Sequence, residues 1–381
     1  MKIISIEPTP SPHSMKLNMD ESLTAGTRFA FDQERKDGCP DYIAKLLAIP
    51  DVKSVFQTAD FIALDRFPKG DWQNILSRAR EVFGEAPRRQ ENDNGSAPQQ
   101  KEASFGETHV LIQMFRNIPL QIRIRSELEE KRLALPERFT GAAMKAHSAS
   151  PNMIMERKLE DQGIRYGSPE EIAEQVLQEI DAAYDDARLE QLVSLALEQG
   201  EGEVPISERK ESLSDEQMAA RLEHPDWRIR YAAMEKMKPA PQRLPLIVKA
   251  LLDPHFSVRR LAVAYLGDIK EQDVLPLLYQ ALKDKHPAVR RTAGDVLSDI
   301  GDPDAIEPMC EALKDPNKIV RWRAARFLYE VGDKSALAAL REAQDDSEFE
   351  ISMQVKMALE RIEGGHEAEG SVWQQMTRRN P

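Results

Sequence analysis

LLDPHFSVRRLAVAYLG, residues 251–267, decides the fold, because its pattern returns with a period of 31 residues. Val258, Val289, Val320 and Ile351 fall into register, and Arg259, Arg290 and Arg321 directly follow the aligned valines. Ala262, Ala293 and Ala324 come four residues after the valine, and Leu266, Leu297, Leu328 and Leu359 close the pattern. An earlier copy, Ile229-Arg230 with Ala233 and Met237, sits 29 residues ahead. Asp253, Asp284 and Asp315 precede the later copies, followed by Pro254 and Pro316 in two of them. One helix pair cannot bury its apolar face alone, so a repeat of this length with two helical patterns predicts a stacked α-solenoid. Such arrays bind more often than they transform.

Working outward, 381 residues allow roughly two to three domains. A hydrophobic fraction of 41% supplies packed cores, and 31% charged residues point to a soluble protein. The net charge of −13 argues against a nucleic-acid binder, which needs a basic field. Cys39 and Cys310 lie far apart with no CxxC, so neither a disulfide framework nor a cysteine metal site is expected. Met1-Lys2-Ile3-Ile4-Ser5-Ile6-Glu7 holds too short an apolar run for a signal peptide. No stretch approaches the ~20 apolar residues of a membrane span. The expected location is the cytoplasm, with no membrane partner.

Residues 1–85 read as a small α+β domain. Ile3, Ile4 and Ile6 suggest a strand, and Pro8, Pro10 and Pro12 force an extended segment after it. Asp41 to Ile49 has helical spacing. Val52 to Phe56 and Phe61 to Leu64 look like paired strands around Thr58-Ala59-Asp60, and Asp71 is placed to cap a helix carrying Trp72, Ile75, Leu76, Ala79 and Val82. Residues 86–106 (APRRQENDNGSAPQQKEASFG) are polar and carry the composition of a flexible linker. Residues 107–199 form a mixed middle domain. It has strands at His109 to Phe115 and Leu120 to Ile124, and a helix opened by Ser168-Pro169-Glu170-Glu171 that carries Ile172, Val176, Leu177 and Ile180. Residues 200–212 read as a connector, 213–363 as about five repeats, and 364–381 as a disordered tail.

The N-terminal stretches Pro8-Thr9-Pro10-Ser11-Pro12-His13-Ser14-Met15-Lys16, Val52-Lys53-Ser54-Val55-Phe56, Asp60-Phe61-Ile62 and Asp71-Trp72 resemble the N-terminal domain of NifU-like (Nfu) iron–sulphur scaffold proteins. Ser11 stands where that pattern usually has asparagine. Those scaffolds hold their cluster on a CxxC in a separate C-terminal domain, which this chain lacks. The order of parts, with Leu251-Leu252-Asp253-Pro254, Val258-Arg259-Arg260, Leu313-Lys314-Asp315-Pro316 and Val320-Arg321, resembles the conserved virulence factor C family of Firmicutes. That resemblance implies an Nfu-type domain, a middle segment of the family's own and C-terminal HEAT repeats. It also implies a cytoplasmic role in virulence or exoprotein production.

Several residues are candidates for chemistry. Arg259, Arg290 and Arg321, in step with Asp253, Asp284 and Asp315, form either a cationic stripe or an Arg–Asp ladder within and between repeats. Recurrence at the structural period favours the ladder. At about 100° per residue the valine, alanine and leucine positions share one side of the helix. The far side holds Trp227, Tyr231 and Glu235, then Phe256, Arg260 and Ala264, then Pro287, Arg291 and Asp295, then Lys318, Trp322 and Arg326, with Arg228 next to Trp227. A solvated face should carry Lys and Glu. Trp, Tyr, Phe and Arg are the residue types of binding hot spots. Trp227, Arg228, Tyr231, Phe256, Arg260, Arg291, Trp322 and Arg326 are therefore expected to face a protein partner. The alternative is that they pack against a neighbouring helix or the middle domain. His224, His255 and His286 recur at 31 residues, but as loop residues beside Pro225 and Pro287 more plausibly than as metal ligands. Cys39 lacks a neighbouring Cys or His, and no triad, phosphate loop or nucleotide motif is present.

The expectation is an interaction or adaptor protein with no catalytic, cofactor-binding or metal-binding residues, and with an unnamed protein partner and no nucleic acid. Two alternatives stand beside it. One is an accessory factor in iron–sulphur cluster delivery that recognises clients through the N-terminal domain. The other is a HEAT-fold enzyme resembling a bilin lyase or a DNA glycosylase. Residues 86–106 lack the apolar content that repays ordering entropy. Brief proteolysis is expected to cut there first and release a folded N-terminal fragment, read by mass spectrometry. Protection equal to that of the flanking segments would contradict the linker reading.

Overall fold

A computed structural model describes residues 1–9, 11, 13–24, 27–36, 38–67, 70–84, 107–126, 130–150, 152–200, 213–269 and 274–365. The expected linker 86–106, residues 201–212 of the connector and residues 366–381 of the tail lie outside them. The chain forms two compact units, Met1–Gly106 and Glu107–Pro381.

In the first unit, β1 (Ile3–Pro8), β2 (Ser14–Met19), β3 (Arg28–Asp32), α1 (Asp41–Leu47), β4 (Val52–Thr58), β5 (Phe61–Arg66) and α2 (Trp72–Val82) follow one another. The strands form an antiparallel sheet in the order β1-β2-β5-β4-β3. Strand β2 alternates half-buried and buried residues, with Met15, Leu17 and Met19 inward. Leu17, Val55, Ile62 and Leu64 meet Ile43, Leu46, Trp72 and Ile75 of the helices, all at 0–1% exposure. Asp71 caps α2 by accepting the Gln73 N–H at 3.0 Å, as its position predicts. Strands β2 and β3 were not anticipated as strands. The proline-rich lead-in masks the alternation of β2, and β3 holds only five residues.

The second unit opens with β6 (Glu107–Phe115), β7 (Ile118–Arg125), β8 (Glu130–Ala134), α3 (Glu137–His147), β9 (Lys158–Tyr166), α4 (Pro169–Ala183) and α5 (Asp186–Gln199). Its antiparallel sheet runs β8-β7-β6-β9, leaving β9 at an edge. The β6–β7 turn puts Arg116 (φ 49°) and Asn117 (φ 65°) in left-handed geometry, which a tight hairpin requires. Arg116 is held there by its side chain, which bonds Glu156 at 2.7 Å and the Ala196 carbonyl at 2.8 Å. Helix α4 begins as the sequence predicts, with the Ser168 hydroxyl accepting the Glu171 N–H at 3.1 Å and Pro169 in the first turn.

Five helix pairs follow among the described residues. They are α6 (Asp215–Arg221) with α7 (Trp227–Glu235), α8 (Leu244–Leu251) with α9 (Phe256–Gly267), α10 (Leu275–Ala281) with α11 (Pro287–Ile300), α12 (Ile306–Ala312) with α13 (Lys318–Glu330), and α14 (Leu337–Ala343) with α15 (Phe349–Glu363). The second helices pack in succession, α7 on α9, α9 on α11, α11 on α13 and α13 on α15. The periodic residues fill the seam: Val258, Ala262, Leu266, Ala293, Leu297, Ala324, Leu328 and Ile351 are all fully buried. No helix among the described residues is long and apolar enough to cross a membrane.

The recurrent arginines form the ladder. Arg259 grips Asp284 of the next repeat with Nε and Nη2 (2.7 and 2.8 Å), while its Nη1 donates to the Asp253 carbonyl at 2.8 Å. Arg230 holds Asp253, Arg290 holds Asp315 and Arg321 holds Asp346 in the same bidentate way. Each aspartate also accepts a backbone N–H two residues on, from His255, His286, Asn317 and Glu348. At Asp284, burial opposes ionisation, but the Arg259 bonds and the His286 N–H outweigh it and hold the carboxyl below its usual range. Asp284→Ala strands the Arg259 guanidinium and is expected to cost about 3–5 kcal/mol in urea unfolding. A folded-state value below the unfolded one makes this contribution complete above pH ~4 and lost as pH falls through the folded value. The gap between wild type and variant should therefore shrink on acidification.

Candidate functional site

The face opposite the repeat seam is not open. Helix α4 and the end of β9 lie across it, so the expected exposure of Tyr231, Arg260, Arg291 and Trp322 is corrected: the chain covers them with its own middle domain. Arg326 is also buried rather than exposed. Tyr231, Arg291 and Trp322 retain 7, 6 and 2% of their surface. Glu179 of α4 sits at the centre. It accepts from Arg165 of β9 at 2.8 Å and from Arg260 of α9 at 2.9 Å. Burial pushes its carboxyl up, and the two guanidiniums pull it down further, leaving it below the usual range. Burial, with Glu179 close by, pushes the Tyr231 hydroxyl far above its ordinary value. Arg291 donates to the Tyr166 carbonyl and, at 3.4 Å, to Glu171. The Tyr166 ring lies 6.4 Å from Trp322, and Arg323 lies over both rings. Arg326 bonds Glu330 within α13 at 2.9 Å.

Of the expected partner-facing residues, Arg228 stays exposed, and Trp227 and Phe256 are half-buried. The last two belong to a row of stacked rings: Trp227 on His255 at 3.7 Å, His255 beside Phe256 at 5.1 Å, and Phe256 on His286 at 3.8 Å. Of the recurring histidines, His255 and His286 are helix N-caps, while Asp226 caps α7 in the repeat of His224. Nδ1 of His255 accepts the Ser257 N–H, and Nδ1 of His286 accepts the Ala288 N–H, both at 3.3 Å. His224 accepts the Asp226 N–H at 3.1 Å. Among the described residues no group of three or more His, Cys, Asp or Glu side chains could hold a metal ion. Cys39 and Cys310 are half-buried free thiols, and burial pushes the Cys310 thiol up to about 11.

Two features bypass the sequence reading. The first is a cavity of about 510 Å³ bounded by β6, β9, α4 and α7, with Ile112, Met114, Val176 and Ile180 on its apolar side and Glu160, Gln162 and Arg165 among its polar groups. A bulge in β9 builds it. His109 pairs with Ile164 and Leu111 with Asp161, so two residues, Gln162 and Gly163, oppose Val110. Gly163 takes φ +81°, which a side chain would strain, and its N–H bonds Asp161 at 2.7 Å. The extra residue shifts the alternation. Arg165 then points to the α4 side, where Glu160 and Gln162 already point.

The second feature is the outer edge of β9. All seven residues from Lys158 to Ile164 are exposed. Leu159 (47%) and Ile164 (46%) are exposed apolar side chains within this run, and Ile154 (73%) and Met155 (79%) are exposed in the turn before it. An exposed edge offers unpaired N–H and C=O groups, on which another strand can add. Periodicity could not announce β9, because a strand exposed on both faces has no apolar alternation to read.

The family models fit this division. The chain matches the Nfu/NifU scaffold N-terminal model over residues 4–89, a virulence factor model over 113–193 and HEAT repeats over 244–325 and 275–360. It is 54% identical to "Uncharacterized protein YpgR" of Bacillus subtilis (strain 168), over 99% of this chain and 98% of that protein. It is 46% identical to "Conserved virulence factor C" of Staphylococcus aureus (strain MRSA252) and 41% to that of Staphylococcus haemolyticus (strain JCSC1435), each over the full length of both chains.

Because Trp322 is packed between the repeats and the middle domain, Trp322→Ala is expected to cost about 3–5 kcal/mol of stability. Urea unfolding reads this directly. A loss below about 1 kcal/mol would mean that the face is open after all.

Proposed function

As this chain belongs to the conserved virulence factor C family, we propose that it acts as a cytoplasmic adaptor in a virulence-related process and performs no catalysis of its own. The observation that carries this reading is the run of seven exposed residues on the β9 edge. HEAT repeats are interaction elements, yet the face that should bind is filled by the chain's own α4. The repeats therefore serve as a mount, and the middle domain fixed to them presents the contact. An extended partner adding to β9 gains main-chain bonds from the edge and specificity from side-chain neighbours.

A second reading, client recognition in iron–sulphur delivery, is favoured by the Nfu/NifU match. The two readings separate on one variant. Leu159→Lys with Ile164→Lys places charge on the edge without touching a buried group. The double variant is expected to unfold within a few degrees of wild type and to lose its captured proteins in affinity pull-downs from native cytoplasm. Capture unchanged from wild type would overturn the edge reading. If the retained proteins were cluster enzymes, the second reading would stand in its place.

A further inference from the structure

The cavity beside β9 is balanced in charge but has donors to spare. Glu160, Glu179 and Glu235 line it, matched by Arg165 and Arg188 of the lining and by Arg260, which bonds Glu179. Both oxygens of Glu179 are taken, Oε2 by Nη2 of Arg165 at 2.8 Å and Oε1 by Nη2 of Arg260 at 2.9 Å. Nη1 of Arg188 reaches Glu235 at 3.4 Å and the Ala183 carbonyl at 2.8 Å. Two donors are left over. Nη1 of Arg165 and Nε of Arg260 are buried and have no hydrogen-bond partner among the described residues. A buried N–H has given up its water, so an acceptor brought to it gains more than the same acceptor at the surface. That acceptor should carry no charge. An added carboxylate would stand beside Glu179, with Glu160 and Glu235 on the same space, and an added ammonium would bring donors where donors are already in excess.

We propose that the cavity binds a small uncharged molecule with an amide head and an apolar body. The carbonyl oxygen accepts from Nη1 of Arg165, and the amide N–H donates to Glu160, an exposed carboxylate on the same side of β9. The body lies on Ile112 and Met114 of β6 and on Val176 and Ile180 of α4. At about 510 Å³ the cavity falls in the range, ~300–1,000 Å³, in which small molecules are held. Its walls come from β6, β9 and α4 of the middle domain and, through Tyr231 and Glu235, from α7 of the repeats. A bound molecule therefore touches both sides of the join. Such binding is independent of partner capture at the β9 edge.

Methyl NMR titration of the full-length protein with phenylbutanamide tests this, beside phenylbutyrate and phenylbutylammonium, which keep the body and replace the head by an anion or a cation. The amide is expected to shift the methyl signals of Ile112, Met114, Val176 and Ile180 and to bind at least ~tenfold tighter than either ion. Arg165→Lys keeps a cation opposite Glu179 but offers a single nitrogen, which Glu179 takes, so it should weaken the amide by ~tenfold. Urea unfolding checks that this variant is folded; if it is not, the comparison of heads and the methyl shifts of the wild type decide. No binding of the amide up to its solubility, equal binding of either ion, or shifts confined to methyls outside the cavity would overturn the proposal. So would a folded Arg165→Lys variant that binds the amide as wild type does.

Discussion

One contact, made four times, sets the frame: a guanidinium that holds the carboxylate of the next repeat while bonding a carbonyl at the turn of its own. Arg is suited to this in a way Lys is not, because its planar fork matches a carboxylate bidentately and leaves a third nitrogen free to bond elsewhere. The aspartate is used as fully, since beyond the two arginine bonds it accepts the N–H two residues further on. The turn of one repeat is thereby fastened to the turn of the next at a fixed distance. That spacing lines up α7, α9, α11 and α13 so that one straight helix, α4, and the end of β9 can reach several of them.

The join between middle domain and repeats is polar at its centre and aromatic further along. A carboxylate buried between Arg165 and Arg260 contributes little net attraction, because desolvation of the three charges offsets most of the Coulomb gain. Its stronger effect is on register. Glu179 is satisfied only when α4 sits so that both guanidiniums reach it, and any slide leaves a buried charge unmatched. Tyr166 against Trp322, with Arg323 over both rings, pins the opposite end. The bulge at Gly163 comes just before both pins, where β9 passes from its exposed stretch to its half-buried end.

The repeats were legible in the sequence because buried positions recur. Val258, Ala262 and Leu266 announce a seam, and the matched spacing of Arg259 and Asp284 announces a ladder. Helical phase also separated the seam from the opposite face, and the aromatic and arginine content there marked an interface. Phase says which side points away from the seam. It does not say what lies beyond it, and the cover proved to be the chain's own α4. A clue was present in α4, where Gln175, Glu179 and Ala182 are buried on a side that Ile172, Val176 and Ile180 do not occupy. A helix buried on two sides needs two neighbours, but a glutamate and a glutamine look like solvent positions until arginines stand opposite. Strand β9 was illegible for the reverse reason, since exposure on both faces erases the period of two.

The two kinds of guanidinium contact differ in how far apart their partners lie along the chain. Ladder pairs are 23 or 25 residues apart, whereas Arg260 to Glu179 spans 81 and Arg291 to Tyr166 spans 125. Loops closed over short separations form fastest, and long ones wait for the rest of the chain. Each repeat can therefore close on its neighbour as it is made, while the middle domain, synthesised earlier, holds Glu179 and Tyr166 uncovered until the arginines arrive. Docking is the late step in the chain's assembly, and the interval before it is when an unpaired strand edge and a half-built interface are exposed together.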